Sequence, residues 1–406
     1  MALSPLDSPK PVPNAAKTIT AKAKALTLSN NAASSPSTHA STPSSDGPQD
    51  LSEQLNDQVR RKYVQGGRLG EGTYAIVYSG HLVSDPSTLV AIKKIKVNAE
   101  YKDGLAMDAV REVKHLQELS HPNIIKLHAV FSTRDQNLNL VLEHLPLGDL
   151  ETLWRNKDVS YGPADIKAWA GMLARAVWFC HENFVLHRDI KGNNLLIAAD
   201  GSVKLADFGL ARSFADPYTK MSCNVITRFY RPPELLYGTR HYGGAVDVWS
   251  MGVVIAELAL REFFLPSETE IEQLDRIAEV FGSPTEENWP GVSKLDNYVP
   301  AAKENLKRPQ PLMYWKQRFG MLGDEGIDLI RYMCKLDPRS RATARQVLEH
   351  PYWMAAPRPT PKEKLPRNAG GARKMAEDLK RKGGEVEGEG RADKVARKLD
   401  FSALKR

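Results

Sequence analysis

The chain has 406 residues, 42% apolar and 26% charged, with a net charge of +7. These values are ordinary for a globular protein with a real core, and no charge-free apolar run approaches the ~18 residues of a membrane-spanning helix. Three scattered cysteines, Cys180, Cys223 and Cys334, form no CxxC pair, which disfavours a disulfide scaffold or a cysteine zinc site and fits a reducing compartment.

Residues 1–59 are rich in Ser, Thr, Ala, Pro and Asn and carry a net charge of −1. They bury too little apolar surface to offset chain entropy and are expected to be a disordered tail without a signal peptide. From Tyr63 the pattern changes. Val64–Leu69, Ile76–His81 and Leu89–Ile95 read as short strands broken by Gly and Asp-Pro. Lys102–Ser120 reads as a helix, with Leu105, Ala109, Val113 and Leu116 at three- and four-residue steps. Leu138–Glu143 reads as another strand. Helices are expected over Ala164–Glu182, Gly244–Leu260, Ile271–Phe281 and Glu325–Leu336, and the fold is expected to end near Trp353. The last fifty residues carry a net +7, so the basic character of the chain belongs to its C-terminal tail. A solvated tail is the expectation there, against an alternative of nucleic-acid binding through the tail; the folded domain is not expected to bind nucleic acid.

The chemistry-bearing residues occur in one order. Gly70-Glu71-Gly72-Thr73-Tyr74-Ala75 is followed by strand-like Ile76-Val77-Tyr78, which suits a hairpin lying over phosphates rather than a loop opening a helix. Val90-Ala91-Ile92-Lys93 then places one cation at the end of an apolar strand, and Glu112 on the following helix can pair with it. His187-Arg188-Asp189 with Asn194, Asp207-Phe208-Gly209 and Pro233-Glu234 complete the series. A single one of these pieces is weak; together they match the protein-kinase signature set. Phosphoryl transfer needs positioning and charge neutralisation more than covalent chemistry. Asp189 is expected to orient and deprotonate the acceptor hydroxyl, Lys191 to stabilise the transferred phosphate, and Asn194 and Asp207 to bind magnesium.

From Leu69 to Trp353 the chain resembles the cyclin-dependent kinases. The resemblance extends to Ser120-His121-Pro122-Asn123-Ile124-Ile125, to Val225-Ile226-Thr227-Arg228-Phe229-Tyr230-Arg231 and to Phe281-Gly282-Ser283-Pro284, and it is greatest to the CDK-activating kinase branch, the kinase subunits of the transcription factor TFIIH. Lys102-Asp103-Gly104, Leu116-Gln117-Glu118-Leu119 and the Pro-rich exit from Arg358 carry that narrower likeness. The resemblance implies an α+β bilobal kinase fold, with a small β-rich N-lobe holding one main helix (about 60–145) and a larger helical C-lobe (about 146–354), followed by a tail at 355–406. It implies ATP and Mg2+ as cofactors. Leu69, Gly70, Glu71, Gly72, Thr73, Tyr74, Ala75, Ile76, Val77, Ala91, Lys93, Glu112, Glu143, Leu145 and Leu196 are the expected ATP-binding residues. Thr227 joins Asp189, Lys191, Asn194 and Asp207 as catalytic.

The resemblance also implies regulation and partners. Ser222 falls at the activating phosphorylation position, with Arg111, Arg188 and Arg212 as its clamp, since guanidinium forks suit phosphate. Thr73 and Tyr74 match an inhibitory phosphorylation pair. A cyclin resembling cyclin H is expected at the Lys102–Ser120 helix, because Glu112 must swing inward to meet Lys93, together with a RING-finger assembly factor and the TFIIH core. Expected substrates are Ser/Thr-Pro sites: the RNA polymerase II heptad repeats and the activation segments of other cyclin-dependent kinases. The nucleus is the expected location. The alternatives are another cell-cycle or transcriptional cyclin-dependent kinase and a non-catalytic scaffold of kinase fold. Three departures from the family pattern stand out: Gly192 in place of Pro, expected to loosen the catalytic loop; Pro232 in place of Ala; and a hinge exit, Pro146-Leu147-Gly148-Asp149, one residue longer than usual.

Overall fold

The computed structural model describes residues 51–72, 75–96, 107–133, 137–216 and 218–367. Thr73, Tyr74, Lys102-Asp103-Gly104, Pro217 and both outer tails lie outside the described residues, and the expectations attached to them with them.

Helix α1 (Leu51–Arg60) comes first. It corrects the expectation that this stretch belongs to an unstructured tail. The helix buries no residue fully, but Asn56 bridges to the backbone of Ser132, donating to its carbonyl at 3.0 Å and accepting its N–H at 2.7 Å. Strands β1 (Tyr63–Glu71), β2 (Ala75–Leu82) and β3 (Asp85–Ile95) follow. Helix α2 (Met107–Glu118) lies before β4 (Leu127–Ser132) and β5 (Leu138–Glu143). The five strands form one antiparallel sheet in the order β1-β2-β3-β5-β4. Ala109, Glu112, His115 and Leu116 form the buried stripe of α2, at the three- and four-residue steps of an amphipathic helix.

The helical lobe begins with α3 (Leu150–Arg155), whose N-cap Asp149 accepts the Thr152 N–H at 2.8 Å. Helix α4 (Pro163–Glu182) leads to four short strands, β6 (Val185–Leu186), β7 (Leu195–Ile197), β8 (Val203–Leu205) and β9 (Arg212–Ser213), paired β6-β9 and β7-β8. Helices α5 (Pro233–Leu236), α6 (Ala245–Leu260), α7 (Glu270–Phe281), α8 (Leu312–Phe319), α9 (Gly323–Met333) and α10 (Ala344–Leu348) complete it. Every residue of α6 from Val246 to Leu258 is buried, so this helix is the axis of the lobe rather than an amphipathic surface element. At Gly252 a β-carbon would stand 2.6 Å from Cys334 Sγ, so glycine is what lets α9 and its C-cap press against the axis.

The fold does not end near Trp353. Residues 355–367 run on as a strap along the helical lobe. The Thr360 N–H donates to Ala164 O at 3.1 Å, Leu365 is buried in the main core, and Lys362 pairs with Asp200. The C-terminal boundary therefore moves from 354 to at least 367. Among the described residues no helix is long and apolar enough to cross a membrane.

Candidate active site

Lys93 and Glu112 meet across β3 and α2. The Lys93 ammonium donates to both carboxylate oxygens of Glu112, at 2.8 and 2.7 Å, and lies 3.5 Å from Asp207 Oδ1. Burial opposes the ammonium, but the Glu112 and Asp207 carboxylates outweigh it and raise the Lys93 pKa. The pair is closed in this chain by itself, so the expectation that Glu112 has to be swung inward does not describe this conformation.

The loop after β6 gathers the reacting groups. Asp189 Oδ1 accepts from Thr227 Oγ1 at 2.9 Å, and Asp189 Oδ2 pairs with Lys191 Nζ at 2.8 Å. Lys191 Nζ also reaches Thr227 Oγ1 at 3.0 Å, closing a triangle. The Asn194 amide nitrogen donates to the Asp189 carbonyl at 2.8 Å and to its carboxylate at 3.0 Å, which leaves the side-chain oxygen of Asn194 for a cation. Asp207 stands with half its side-chain surface exposed, in a left-handed conformation at φ 64°. Burial opposes its ionisation, yet Lys93 and then Lys191 hold its carboxyl below the ordinary aspartate range.

His187 ties these segments together. Its Nδ1 accepts the Asp189 N–H at 3.2 Å, which makes Nε2 the protonated nitrogen that donates to Ala206 O at 3.0 Å. Its ring meets Phe208 edge-on at 4.7 Å, and burial lowers its pKa, in keeping with a neutral imidazole. Asp247, at the start of the axial helix α6, accepts the backbone N–H groups of His187 and Arg188, each at 2.9 Å, and pairs with His181 at 2.9 Å. Its hold on the catalytic loop comes from a contact spanning 59 residues, which no local pattern signals.

The nucleotide side of the site is a polar edge over an apolar floor. Ala75, Ala91 and Leu142 are buried together, with Val77, Leu145 and Leu196 packed against them. Leu69 and Gly70 lie in β1, and Ile76 pairs with Lys94 across β2 and β3. Glu71 is engaged by Arg68 and Lys96, and Lys96 also donates to Gly72 O at 3.0 Å, so this glutamate fastens the glycine-rich hairpin rather than facing a ligand. The Glu143 carboxylate is taken by Lys204 at 2.8 Å and its backbone N–H by Lys126 O at 2.9 Å, so its side chain faces no ligand.

Two of the three departures have a local cause. Gly192 is not a loose point: a β-carbon there would stand 3.0 Å from Glu151 Cβ and 3.2 Å from Glu151 N, so the loop is pressed against α3. The hinge exit turns at Gly148, φ 79°, and bonds to β7 on both sides, through Leu147 N to Ile197 O and Ile197 N to Gly148 O.

Ser222 is exposed, and its carbonyl accepts from the Tyr242 hydroxyl at 2.6 Å. Arg188 donates to the same hydroxyl at 3.0 Å. Arg111 is paired instead with Asp108, one turn back on α2. Asp216 caps its own turn, accepting from Tyr218 N and Thr219 Oγ1, so its charge is spent locally. Glu234 and Arg341 form a buried pair, at 2.7 and 2.9 Å.

Asp207 and the Asn194 side-chain oxygen are hard oxygen donors beside each other's loop, the donor type magnesium takes. Among the described residues no cluster of three or more His, Cys, Asp or Glu would hold a metal unaided. Two protein oxygens completed by phosphates and water are what magnesium accepts, so the residues fit.

A lysine–glutamate pair over a glycine-rich hairpin, with an aspartate–lysine–asparagine loop below it, defines a protein kinase. The protein kinase domain family matches residues 63–353. The chain is 45% identical over 309 residues to the serine/threonine-protein kinase KIN28 of Saccharomyces cerevisiae, covering 75% of this chain and 97% of the yeast protein. It is 43% identical over 311 residues to Cyclin-dependent kinase 7 of Xenopus laevis, covering 76% and 85%. In three dimensions it is similar to a chain in the structure of the CAK complex from Chaetomium thermophilum bound to ATP-γ-S, with a TM-score of 0.76 and 62% identity, covering 79% of this chain and 99% of that one. The chain belongs to the protein kinase family, in the CDK-activating branch of KIN28 and Cyclin-dependent kinase 7. It is a serine/threonine kinase that uses ATP.

Proposed function

We propose that this chain is the catalytic subunit of a nuclear cyclin-dependent kinase that phosphorylates Ser/Thr-Pro sites, in the polymerase heptad repeats and in the activation segments of other cyclin-dependent kinases. The observation that carries the reading is the triangle of Asp189, Lys191 and Thr227. Its carboxylate is oriented from three sides before any substrate arrives, and such preorganisation is where a kinase gains most of its rate.

In the reaction Asp189 orients the acceptor hydroxyl and receives its proton. Lys191 meets the charge on the transferred phosphoryl group, and Lys93, held by Glu112, fixes the α- and β-phosphates. Magnesium, held by Asp207 and Asn194, supplies charge neutralisation at the phosphates. A preference for proline after the acceptor is supported by Ile226, which holds a left-handed φ of 68° with its carbonyl engaged by Arg231. Arg231 donates to the Val225 and Ile226 carbonyls at 2.9 to 3.1 Å, so no acceptor remains for a substrate N–H, which proline lacks.

A cyclin docks at α2. Met107 and Val110 are 62% and 42% exposed on the face opposite Glu112, an apolar strip that a partner helix would cover. A RING-finger assembly factor and the TFIIH core complete the assembly, and phosphorylated Ser222 is drawn to Arg188 and Arg212. Purification of the chain from its source, with mass spectrometry of bound subunits, tests the assembly. Turnover of Ser-Pro against Ser-Ala heptad peptides tests the specificity. Equal rates on the two peptides would overturn it.

A further inference from the structure

We propose that Thr360 in the C-terminal strap is itself a phosphorylation site, and that its phosphate is held by Arg175 in the cavity the two residues line. The proposal rests on the Ser/Thr-Pro preference above and adds a site on the enzyme. Two Ser/Thr-Pro steps occur in the described residues. Ser283 is buried, with its hydroxyl accepting the Lys307 N–H at 3.0 Å. Thr360, before Pro361, is half-buried in a segment fastened to the lobe by its own N–H on Ala164 O, by the buried Leu365, by the Lys362–Asp200 pair, and by Arg367 on Ala199 O at 2.8 Å.

A cavity of about 660 Å³ opens beside Thr360. Lys167, Arg175 and Lys362 line it, and no aspartate or glutamate does. Among the described residues no carboxylate pairs with Arg175, whereas Lys362 is paired with Asp200. Lys167 is buried, its ammonium on Ala355 O at 2.8 Å and 4.3 Å from the centre of the Tyr352 ring, again without a carboxylate partner. Burial lowers its pKa, with Glu325 opposing and Arg358 adding to the effect. Lys167 and Lys362 direct their ammonium groups to Ala355 O and Asp200, which do not line the cavity, so among the described residues Arg175 is the lining cation left for an anion. A phosphate on the threonine that lines it supplies a charge of about −2 and three acceptors.

The strap is modified when released and fastened when phosphorylated. A second copy of the kinase performs the step. The bond from Thr360 Oγ to the γ-phosphorus forms, the bond from that phosphorus to the bridging oxygen of ATP breaks, ADP leaves, and the hydroxyl proton passes to Asp189 of the acting copy.

The test mixes the active complex, ATP, a Ser-Pro heptad peptide and full-length inactive Asp189→Asn chain as substrate. Mass spectrometry follows Thr360, with an Asp189→Asn/Thr360→Ala chain as control. The expected result is phosphate on Thr360 and, by limited proteolysis, strap cleavage slowed roughly tenfold, a protection that Arg175→Met removes. Peptide turnover with Thr360 unmodified overturns this proposal and leaves the Ser/Thr-Pro reading standing. Modification of neither overturns both. Phosphate on Thr360 without protection, or protection that survives Arg175→Met, overturns the assigned phosphate cavity.

Discussion

The Asp247 carboxylate accepts the backbone N–H of Arg188 at 2.9 Å, and Arg188 holds a left-handed φ of 65° one residue before Asp189. A bulky residue adopts that conformation only where its surroundings over-determine it, at a cost of order 1–3 kcal/mol. Here the surroundings are a buried carboxylate on the axial helix, so the position of Asp189 is set from the core of the helical lobe. Burial opposes ionisation of Asp247, but the hydrogen bond from His181 and the Arg188 N–H hold its pKa below the ordinary value. Asp247→Asn keeps one oxygen, so its amide N–H must face either the Arg188 N–H on one side or the His187 N–H and His181 on the other. The expected outcome is a loss of about 2–4 kcal/mol in stability and a fall of at least about tenfold in kcat, read by thermal melting and steady-state kinetics. Unchanged kcat would show that the loop holds its shape without this anchor.

The Lys93–Glu112 pair predicts a separable effect. Glu112→Gln keeps the size of the side chain but removes the charge that holds the ammonium in place. kcat/KM should fall by about 10- to 100-fold, while peptide KM at saturating ATP stays within about twofold. A loss confined to peptide KM would mean that Glu112 acts on the protein substrate.

Much of this site is written in short stretches of sequence. His187 to Asn194 lie within eight residues, and the strands around Ala75 and Lys93 announce themselves by β-branched runs. β4 carries little signal, because Phe131 is its one buried residue and the rest of Leu127–Ser132 is half-exposed. α1 reads as tail because its composition is polar, whereas Asn56 on it reaches a backbone 76 residues away. The strap beyond Trp353 escaped for the same reason, since Leu365 finds its core and Lys362 finds Asp200 only once α4 and the β7-β8 turn are folded. The looseness expected of Gly192 failed because its neighbour, Glu151, is 41 positions earlier in sequence and out of view.

Glu257 predicts a pH dependence. It is fully buried on α6, its Oε2 accepts from the Tyr230 hydroxyl at 2.8 Å, and its Oε1 has no partner. Burial pushes its pKa up from 4.5 to about 8, with the Tyr230 bond opposing and Glu151 adding. The folded state therefore keeps a proton that the unfolded state releases. This group's contribution is intact below the unfolded value of 4.5 and is lost as pH rises toward 8, at up to about 1.4 kcal/mol per pH unit. Glu257→Gln, neutral at every pH, should lose less melting temperature between pH 5 and 8 than the parent chain. Parallel curves would show that Glu257 is ionised in the fold.

Gly192→Ala tests whether the departure from the family's proline is a weakness or a fit. If the loop were loose, alanine would stabilise it by removing backbone freedom, by about 0.4–1 kcal/mol. The contact with α3 argues the reverse. The added carbon would stand 3.0 Å from Glu151 Cβ and 3.2 Å from Glu151 N, and Glu151 sits in the first turn of a helix capped by Asp149. Neither the helix backbone nor Gly192, one residue from Lys191, can retreat without moving the triangle around Asp189. Overpacking of this kind costs about 1–3 kcal/mol. Thermal melting should show that loss, and kcat should fall several-fold as Lys191 is displaced, with ATP KM little changed. A variant more stable than the parent would sink the close-packing account and restore the looser loop.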